Sequence, residues 1–102
     1  MSLKKQLLKS KPVCKVTFRI PSELGQNAES VNIVGDFNNW NESTDAMKKL
    51  KSGEFTATLE LEKGKSYQFR YLLNGNDWQN DPEADGYVTN EFGIENCVVN
   101  AF

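Results

Sequence analysis

Histidine is absent from the sequence, and cysteine occurs only twice in 102 residues. Histidine is the commonest general base and the usual partner of a nucleophilic serine or cysteine, so its absence argues against an enzyme of these types. Cys14 and Cys97 lie near opposite ends of the chain without a neighbouring histidine or cysteine, which argues against a zinc site. We expect no metal or cofactor, and two reduced thiols buried in the core.

Long apolar runs and clustered basic residues are missing as well. No apolar run approaches the roughly 18 residues that span a bilayer, so we expect no membrane association. Residues 1–11 are lysine-rich but lack the continuous apolar core of a signal peptide, which favours a cytoplasmic location. Twelve basic and fourteen acidic residues give a net charge of −2 without a basic stripe, so we expect no nucleic-acid binding.

The length allows one domain with its own core. It is too short for a (β/α)8 barrel, which needs about 200 residues or more, and this excludes many polysaccharide-cleaving enzymes. Leu3, Leu7 and Leu8 predict a helical turn near the N-terminus. We therefore divide the chain into an N-terminal extension, residues 1–11, and a domain, residues 12–102.

Apolar and polar residues alternate with a period of two in several short segments. The clearest are residues 14–20, 55–61 and 67–73. Turn-forming pairs follow the last two segments, Lys63 with Gly64 and Asn74 with Gly75. Short strands with turn signals every 8–12 residues or so predict an all-β, antiparallel β-sandwich. The residues expected between its sheets are Val16, Phe18, Ile33, Phe55, Leu59, Phe69 and Tyr71.

Both tryptophans lie in polar segments. Trp40 follows two asparagines, and its context fits either an exposed position or the core, where tryptophan in a small domain is commonly found. For Trp78, a three-residue turn at residues 74–76 would pair it with Leu72 and place it outside, beside Arg70. A four-residue turn would instead direct Trp78 inward.

Two exposed indoles near amides and an arginine would suit a sugar. A pyranose has apolar C–H faces that stack on an indole, and hydroxyls that bond to arginine and amide groups. Each stacked ring would contribute roughly 1–2.5 kcal/mol. The free energy from two stacked rings is partly offset by the entropy lost when a flexible glucan chain is ordered. We therefore expect weak binding, with a dissociation constant on the order of μM to mM.

The run Gly35-Asp36-Phe37-Asn38-Asn39-Trp40 resembles the G-x-F-N-x-W signature of the family 48 carbohydrate-binding modules. These include the glycogen-binding domain of the AMP-activated protein kinase β subunit and N-terminal modules of branching and debranching enzymes. The similarity covers roughly residues 13–99. It implies an immunoglobulin-like β-sandwich that binds α-1,4-linked glucan (glycogen, starch, maltooligosaccharide or cyclodextrin) without catalysis.

The resemblance also implies roles for particular residues. Trp40 and Trp78 match the two tryptophans that stack on glucose units in the kinase-type modules. Arg70 falls where the family has a basic residue that bonds sugar hydroxyls. Phe92 matches an apolar residue that touches the glucan, and Asn96 matches a hydrogen-bonding asparagine. These five residues are the predicted carbohydrate-binding site.

Two departures from the family pattern leave a second hypothesis open. Ile94 stands where the kinase-type modules have a hydroxyl residue, and the turn at residues 74–77 is one residue longer. The alternative function is a protein–protein interaction or packing module of a glucan-metabolising enzyme or kinase complex, with a decayed sugar site. Glycoside hydrolysis, which needs two carboxylates across a cleft, is disfavoured. The acidic residues beside Trp78 and in the turns that follow it are predicted to form a solvated loop: Asp77, Asp81, Glu83 and Asp85.

Overall fold

Nine strands account for about half of the residues that the computed structural model describes, 3–25 and 28–102. A four-residue helix, α1 (Ser22–Gly25), and one turn of 3₁₀ helix (Asp36–Asn38) lie between them. The strands are β1 (Leu3–Leu7), β2 (Val13–Ile20), β3 (Val31–Gly35), β4 (Lys48–Lys49), β5 (Phe55–Glu62), β6 (Ser66–Leu73), β7 (Asp77–Gln79), β8 (Gly86–Thr89) and β9 (Glu95–Asn100).

The strands form two antiparallel sheets. The first has the order β1-β2-β5-β4, and the second has the order β3-β6-β9-β8. On the side of β6 opposite β3, β9 pairs with the first half of β6 and β7 pairs with the second half. Strands β7 and β9 therefore follow one another along the same edge of β6. The antiparallel β-sandwich predicted from the alternating pattern is confirmed.

The core lies between the sheets and is rich in aromatic side chains. Phe18 of β2 packs edge to face against Phe69 of β6, with 5.2 Å between the ring centroids. Tyr71 packs against Phe69 in the same way, with 5.6 Å between the ring centroids. Cys14 and Cys97 are both free and buried in this cluster. Six of the seven predicted core residues are buried: Val16, Phe18, Ile33, Phe55, Phe69 and Tyr71.

The seventh predicted core residue, Leu59, is only half-buried. Strand β4 pairs with β5 at Phe55 and Thr56 alone. Beyond Thr56, that edge of β5 has no neighbouring strand among the described residues, and Leu59 lies on this edge. The alternating pattern thus predicted correctly that Leu59 faces the core. How far Leu59 is buried depends on where β4 ends, which the pattern does not show.

The helical turn predicted near the N-terminus is wrong. Residues 3–7 form β1, which pairs with β2 from Leu3 opposite Phe18 to Leu7 opposite Cys14. Leu3 is buried in the core, and Lys5 forms an ion pair with Asp85 at 2.6 Å. Leucines four residues apart fit one face of a helix and one face of a strand, and pairing with β2 selects the strand. The domain boundary at residue 12 stays a prediction.

The turn at residues 74–76 has three residues, as one of the two sequence hypotheses required. Asn74 and Gly75 adopt positive φ angles of 54° and 76°, and the backbone N–H of Asn76 donates to the carbonyl of Leu73 at 3.1 Å. Leu72 consequently pairs with Trp78 across β6 and β7. Because paired residues share a face, Trp78 lies on the outer face of the second sheet.

Candidate ligand-binding site

A hollow of about 450 Å³ opens on the outer face of the second sheet. All five residues predicted as a site from the sequence line it: Trp40, Arg70, Trp78, Phe92 and Asn96. Five further residues complete its lining: Asp36, Gln68, Asn90, Glu91 and Ile94. Side chains that are up to 60 positions apart in the chain therefore surround one open space, since Asp36 and Asn96 both contribute.

Trp40 is held by a tight loop that begins at Gly35. A Cβ atom on Gly35 would lie 2.5 Å from the carbonyl oxygen of Gln68 and 2.8 Å from the Cβ of Phe69, so only glycine fits against β6 here. Asn39 and Trp40 then adopt φ angles of 57° and 56°, a left-handed conformation that large side chains rarely take. The backbone N–H of Trp40 donates to the carbonyl of Gly35 at 2.9 Å and closes the loop.

The side chain of Asn38 fixes the loop from inside. Its Oδ1 accepts the backbone N–H of Gly35 at 3.0 Å, and its Nδ2 donates to the carbonyl of Ile33 at 3.0 Å and to Asp45 at 2.8 Å. Phe37 is partly buried and packs against the core, with its ring centroid 5.9 Å from that of Phe18. Most of the G-x-F-N-x-W pattern is thus explained by the need to build this loop.

Asp36 connects the loop to strand β6, and sequence reasoning did not find this role. One carboxylate oxygen accepts the indole N–H of Trp40 at 2.9 Å, and the other accepts the backbone N–H of Gln68 at 2.7 Å. A carboxylate directly before the phenylalanine of the motif was the available signal. Its significance depends on the path of β6, which the motif does not reveal.

Arg70 and Trp78 form a pair on the outer face. The guanidinium carbon of Arg70 lies 5.4 Å from the centroid of the Trp78 ring, within the range of a cation–π contact. The Nε of Arg70 donates to Asn80 at 3.1 Å, and Asn80 in turn donates to the carbonyl of Glu95 at 2.8 Å. Within residues 3–25 and 28–102, no acceptor binds the two terminal nitrogens of Arg70. Asn80 was not predicted, although it orients Arg70.

The loop between β8 and β9 brings Phe92 to the rim of the hollow. The side chain of Asn90 accepts the backbone N–H groups of Phe92 at 2.9 Å and Ile94 at 3.1 Å, and Gly93 takes a positive φ of 76°. Phe92 is 79% exposed at the tip of this loop, and Ile94 is 47% exposed. The loop therefore presents two apolar side chains beside the tryptophans.

Asn96 is buried, whereas an amide that bonds a sugar would be expected to be exposed. It lines the hollow but is only 6% exposed. Its Nδ2 donates to the side chain of Gln68 at 3.2 Å, and its Oδ1 accepts from Asn90 at 3.5 Å. Asn96 thus links Gln68 of β6 to Asn90 in the loop between β8 and β9. A ligand hydroxyl that reached Asn96 would add to this row of three hydrogen-bonded amide side chains.

The prediction of a solvated acidic loop is wrong for Asp81, whereas the other three acidic residues are exposed: Asp77, Glu83 and Asp85. Asp81 is fully buried; its carboxylate accepts from the hydroxyl of Tyr71 at 2.8 Å and from the backbone N–H of Glu83 at 2.8 Å. Burial, followed by the neighbouring Asp81 carboxylate, raises the pKa of Tyr71 well above its ordinary value. Burial also raises the pKa of the Cys97 thiol to about 11. Asp81 does not line the hollow.

Residues 3–25 and 28–102 contain neither a membrane-spanning helix nor a metal-binding cluster. No helix there is long and apolar enough to cross a membrane. No group of three or more His, Cys, Asp or Glu side chains there could hold a metal ion.

The described chain is an antiparallel β-sandwich with an aromatic hollow on the outer face of its second sheet. The family model of carbohydrate-binding module 48, described as the isoamylase N-terminal domain, matches residues 12–88. The chain belongs to this family. The match covers Trp40, Arg70 and Trp78 and ends before Phe92 and Asn96. A search of curated proteins found no match.

Proposed function

We propose that the chain is a non-catalytic module that binds α-1,4-linked glucan, such as glycogen or starch, in the hollow on its second sheet. The single observation that carries the proposal is that Trp40, Trp78 and Arg70 line one open hollow. Glucose units stack on the two indoles, and the polar side chains between them set the orientation of the sugar. Maltooligosaccharides and cyclodextrins, which share the linkage, are expected to bind in the same way.

The division of roles follows from the chemistry of the lining. The indole faces of Trp40 and Trp78 remove the C–H faces of the sugar from water, which supplies most of the free energy of binding. The terminal nitrogens of Arg70 donate to sugar hydroxyls, while its Nε remains bonded to Asn80. Phe92, at the exposed tip of the loop, contacts the glucan at the rim.

One observation favours a second candidate, a protein–protein interaction or packing module. Apolar side chains are exposed along β8 and the following loop: Tyr87, Val88, Phe92 and Ile94. Such a row is typical of a surface that another protein covers. The partner would be a glucan-metabolising enzyme or a kinase. This candidate predicts that glucan affinity is absent, whereas the first predicts that the tryptophans determine it.

The test is a titration with glycogen, amylopectin and β-cyclodextrin, with cellulose as the control polysaccharide. We expect binding to the first three, with Trp40→Ala and Trp78→Ala each losing roughly 1–3 kcal/mol of binding free energy, up to about 100-fold in affinity. Phe102→Ala is the matched control, because Phe102 is exposed and does not line the hollow. A thermal melt of each variant separates loss of binding from loss of fold.

Two results would contradict the proposal. If the parent binds none of the three glucans, the module has another function, and the interaction hypothesis becomes the better one. If the parent binds but both tryptophan variants bind equally well, the sugar site lies elsewhere. Early unfolding of the tryptophan variants would mean that the indoles serve the fold.

A further inference from the structure

The end of β3 leaves one backbone group of β6 without a strand partner. Gly35, the last residue of β3, pairs with Phe69, and the chain then turns away into the 3₁₀ turn. The next N–H of β6 on that side belongs to Gln68. A backbone N–H without a strand partner bonds either to water or to another acceptor in the protein. The Asp36 carboxylate supplies that acceptor at 2.7 Å.

The other oxygen of the same carboxylate accepts the indole N–H of Trp40 at 2.9 Å. A carboxylate has two oxygens with several acceptor sites, so Asp36 can hold both donors at once. The indole of Trp40 is thereby tied to the backbone of β6 through one side chain. This link adds to the bond between the Trp40 backbone and the carbonyl of Gly35.

The direction of this bond does not itself cover the stacking surface of Trp40, which is half-buried and lines the hollow. The indole N–H lies in the plane of the ring, at its edge. A hydrogen bond there restricts rotation of the side chain without covering either ring face. Stacking on a sugar uses the faces. The geometry therefore constrains Trp40 while keeping it available to a ligand.

We propose that Asp36 is a positioning residue that holds the Trp40 indole in its ligand-ready orientation before any sugar arrives. The inference rests on the proposed function for its effect on affinity, but its effect on Trp40 can be measured without a ligand. The backbone of Trp40 supports the idea, because its left-handed conformation persists only where the surroundings determine it. A side chain fixed in advance loses less entropy when it binds.

The test compares three variants. Asp36→Ala removes both acceptors. Asp36→Asn keeps one acceptor oxygen but replaces the other by an amide donor, so it can satisfy either Trp40 or Gln68 and not both. Glu91→Gln is the matched control, because it removes a negative charge from the same hollow and Glu91 forms no bond with Trp40. Every variant is made in the parent and in a Trp78→Phe background, where Trp40 is the sole tryptophan.

The first readout is the ¹⁵N resonance and the hydrogen-exchange rate of the Trp40 indole N–H, without ligand. We expect faster exchange and a shifted resonance in Asp36→Ala, an intermediate effect in Asp36→Asn, and no change in Glu91→Gln. The second readout is affinity for β-cyclodextrin in the parent background. We expect Asp36→Ala to bind about 3- to 10-fold more weakly, the fold-change that freeing one side chain produces.

The outcomes separate this inference from the proposed function. An unchanged Trp40 indole in Asp36→Ala would overturn the inference whether or not the parent binds glucan. A released indole with undiminished affinity would also overturn it, because positioning would then have no consequence for binding. If the parent binds no glucan, the proposed function fails, and the indole readout still decides whether Asp36 orients Trp40. Should Asp36→Ala fail to fold, Asp36→Asn and its indole exchange take its place.

Discussion

The hydroxyl of Tyr71 donates a 2.8 Å hydrogen bond to the carboxylate of Asp81, and both side chains are fully buried. The backbone of Asp81 is held as well: its N–H lies 3.0 Å from the sulfur of Cys97, and its carbonyl accepts the hydroxyl of Tyr87 at 2.6 Å. Asp81 follows Trp78 by three residues. This network anchors the chain that leaves β7, and with it the strand that carries Trp78.

Tyr71→Phe should destabilise the protein by about 1.5–3 kcal/mol, the range for a hydrogen bond to a charged group. The variant keeps the aromatic ring but leaves a buried carboxylate oxygen of Asp81 without its donor. Urea unfolding measures the change. Tyr67→Phe is the control, because its hydroxyl binds the carbonyl of Glu62 in a more exposed setting and should matter less. Equal losses in the two variants would contradict the role assigned to Asp81.

The protein should lose stability as the pH rises from about 9 to about 11. Burial raises the pKa of Cys97 from 9.0 to about 11, and the pKa of Tyr71 is raised well above 10.0. Between the unfolded and folded pKa values, these groups ionise in the unfolded chain and stay neutral in the folded one. Their contribution is therefore complete below pH 9 and declines above it.

Denaturation at several pH values between 7 and 10.5 measures this decline. Cys97→Ala, compared with its own stability at pH 7, should show a shallower fall above pH 9. Tyr71→Phe should flatten the curve further above pH 10. A parent protein whose free energy of unfolding is constant up to pH 10.5 would show that neither group is protected from ionisation.

Gly35→Ala should destabilise the fold by about 1–3 kcal/mol or more, because a methyl group must displace the backbone of β6. Its Cβ would lie 2.5 Å from the carbonyl oxygen of Gln68. Gly86→Ala is the control: its Cβ would meet only the Cβ of Val98, at an ordinary 3.8 Å. There the free energy of unfolding should be unchanged or rise by up to about 1 kcal/mol. The midpoint of urea unfolding distinguishes the two, and a similar tolerance at both glycines would refute the close approach.

The strands and their faces were largely predictable because alternation is a local signal. The pairing of Leu72 with Trp78 follows from a turn of three residues, but the sequence left three and four residues open as alternatives. The burial of residues on the outer face of a sheet was harder to predict. Leu72 and Val34 lie on the outer face with Trp78 and Arg70, their paired neighbours, and both are nevertheless buried. What covers a residue depends on contacts across the sheet that no short segment encodes.

Site residues were predictable where the residue type is unusual for its sequence context. They were not predictable where a common turn residue gains its role from a hydrogen-bond partner that is distant in the sequence. Trp40 and Trp78 were conspicuous in polar segments. Asp36 and Asn80 looked like common turn residues, and their roles come from donors 32 and 10 positions away, on β6. The sequence predicts a solvated Asp81, because the buried hydroxyl that pairs with it lies 10 residues earlier and leaves no local signal.

Ile94→Thr should increase affinity for glucan. Ile94 lines the hollow and is 47% exposed. The resemblance to the kinase-type modules implies a hydroxyl residue at this position. The backbone N–H of Ile94 binds the side chain of Asn90, and its carbonyl accepts the backbone N–H of Asn90, so the substitution leaves the hydrogen bonds of the loop intact. A new hydroxyl facing a sugar adds a hydrogen bond worth about 0.5–1.5 kcal/mol, or roughly 2- to 10-fold in affinity.

Ile94→Val isolates the hydroxyl, because valine has nearly the shape of threonine without its oxygen. Titration of the parent and both variants with β-cyclodextrin gives the comparison, and thermal melts check that the loop survives. We expect Ile94→Thr to bind more tightly than both the parent and Ile94→Val, with the last two close together. If threonine and valine bind alike, no sugar hydroxyl comes within reach of position 94. The glucan would then cross the hollow closer to Trp40 and Trp78, away from the loop between β8 and β9.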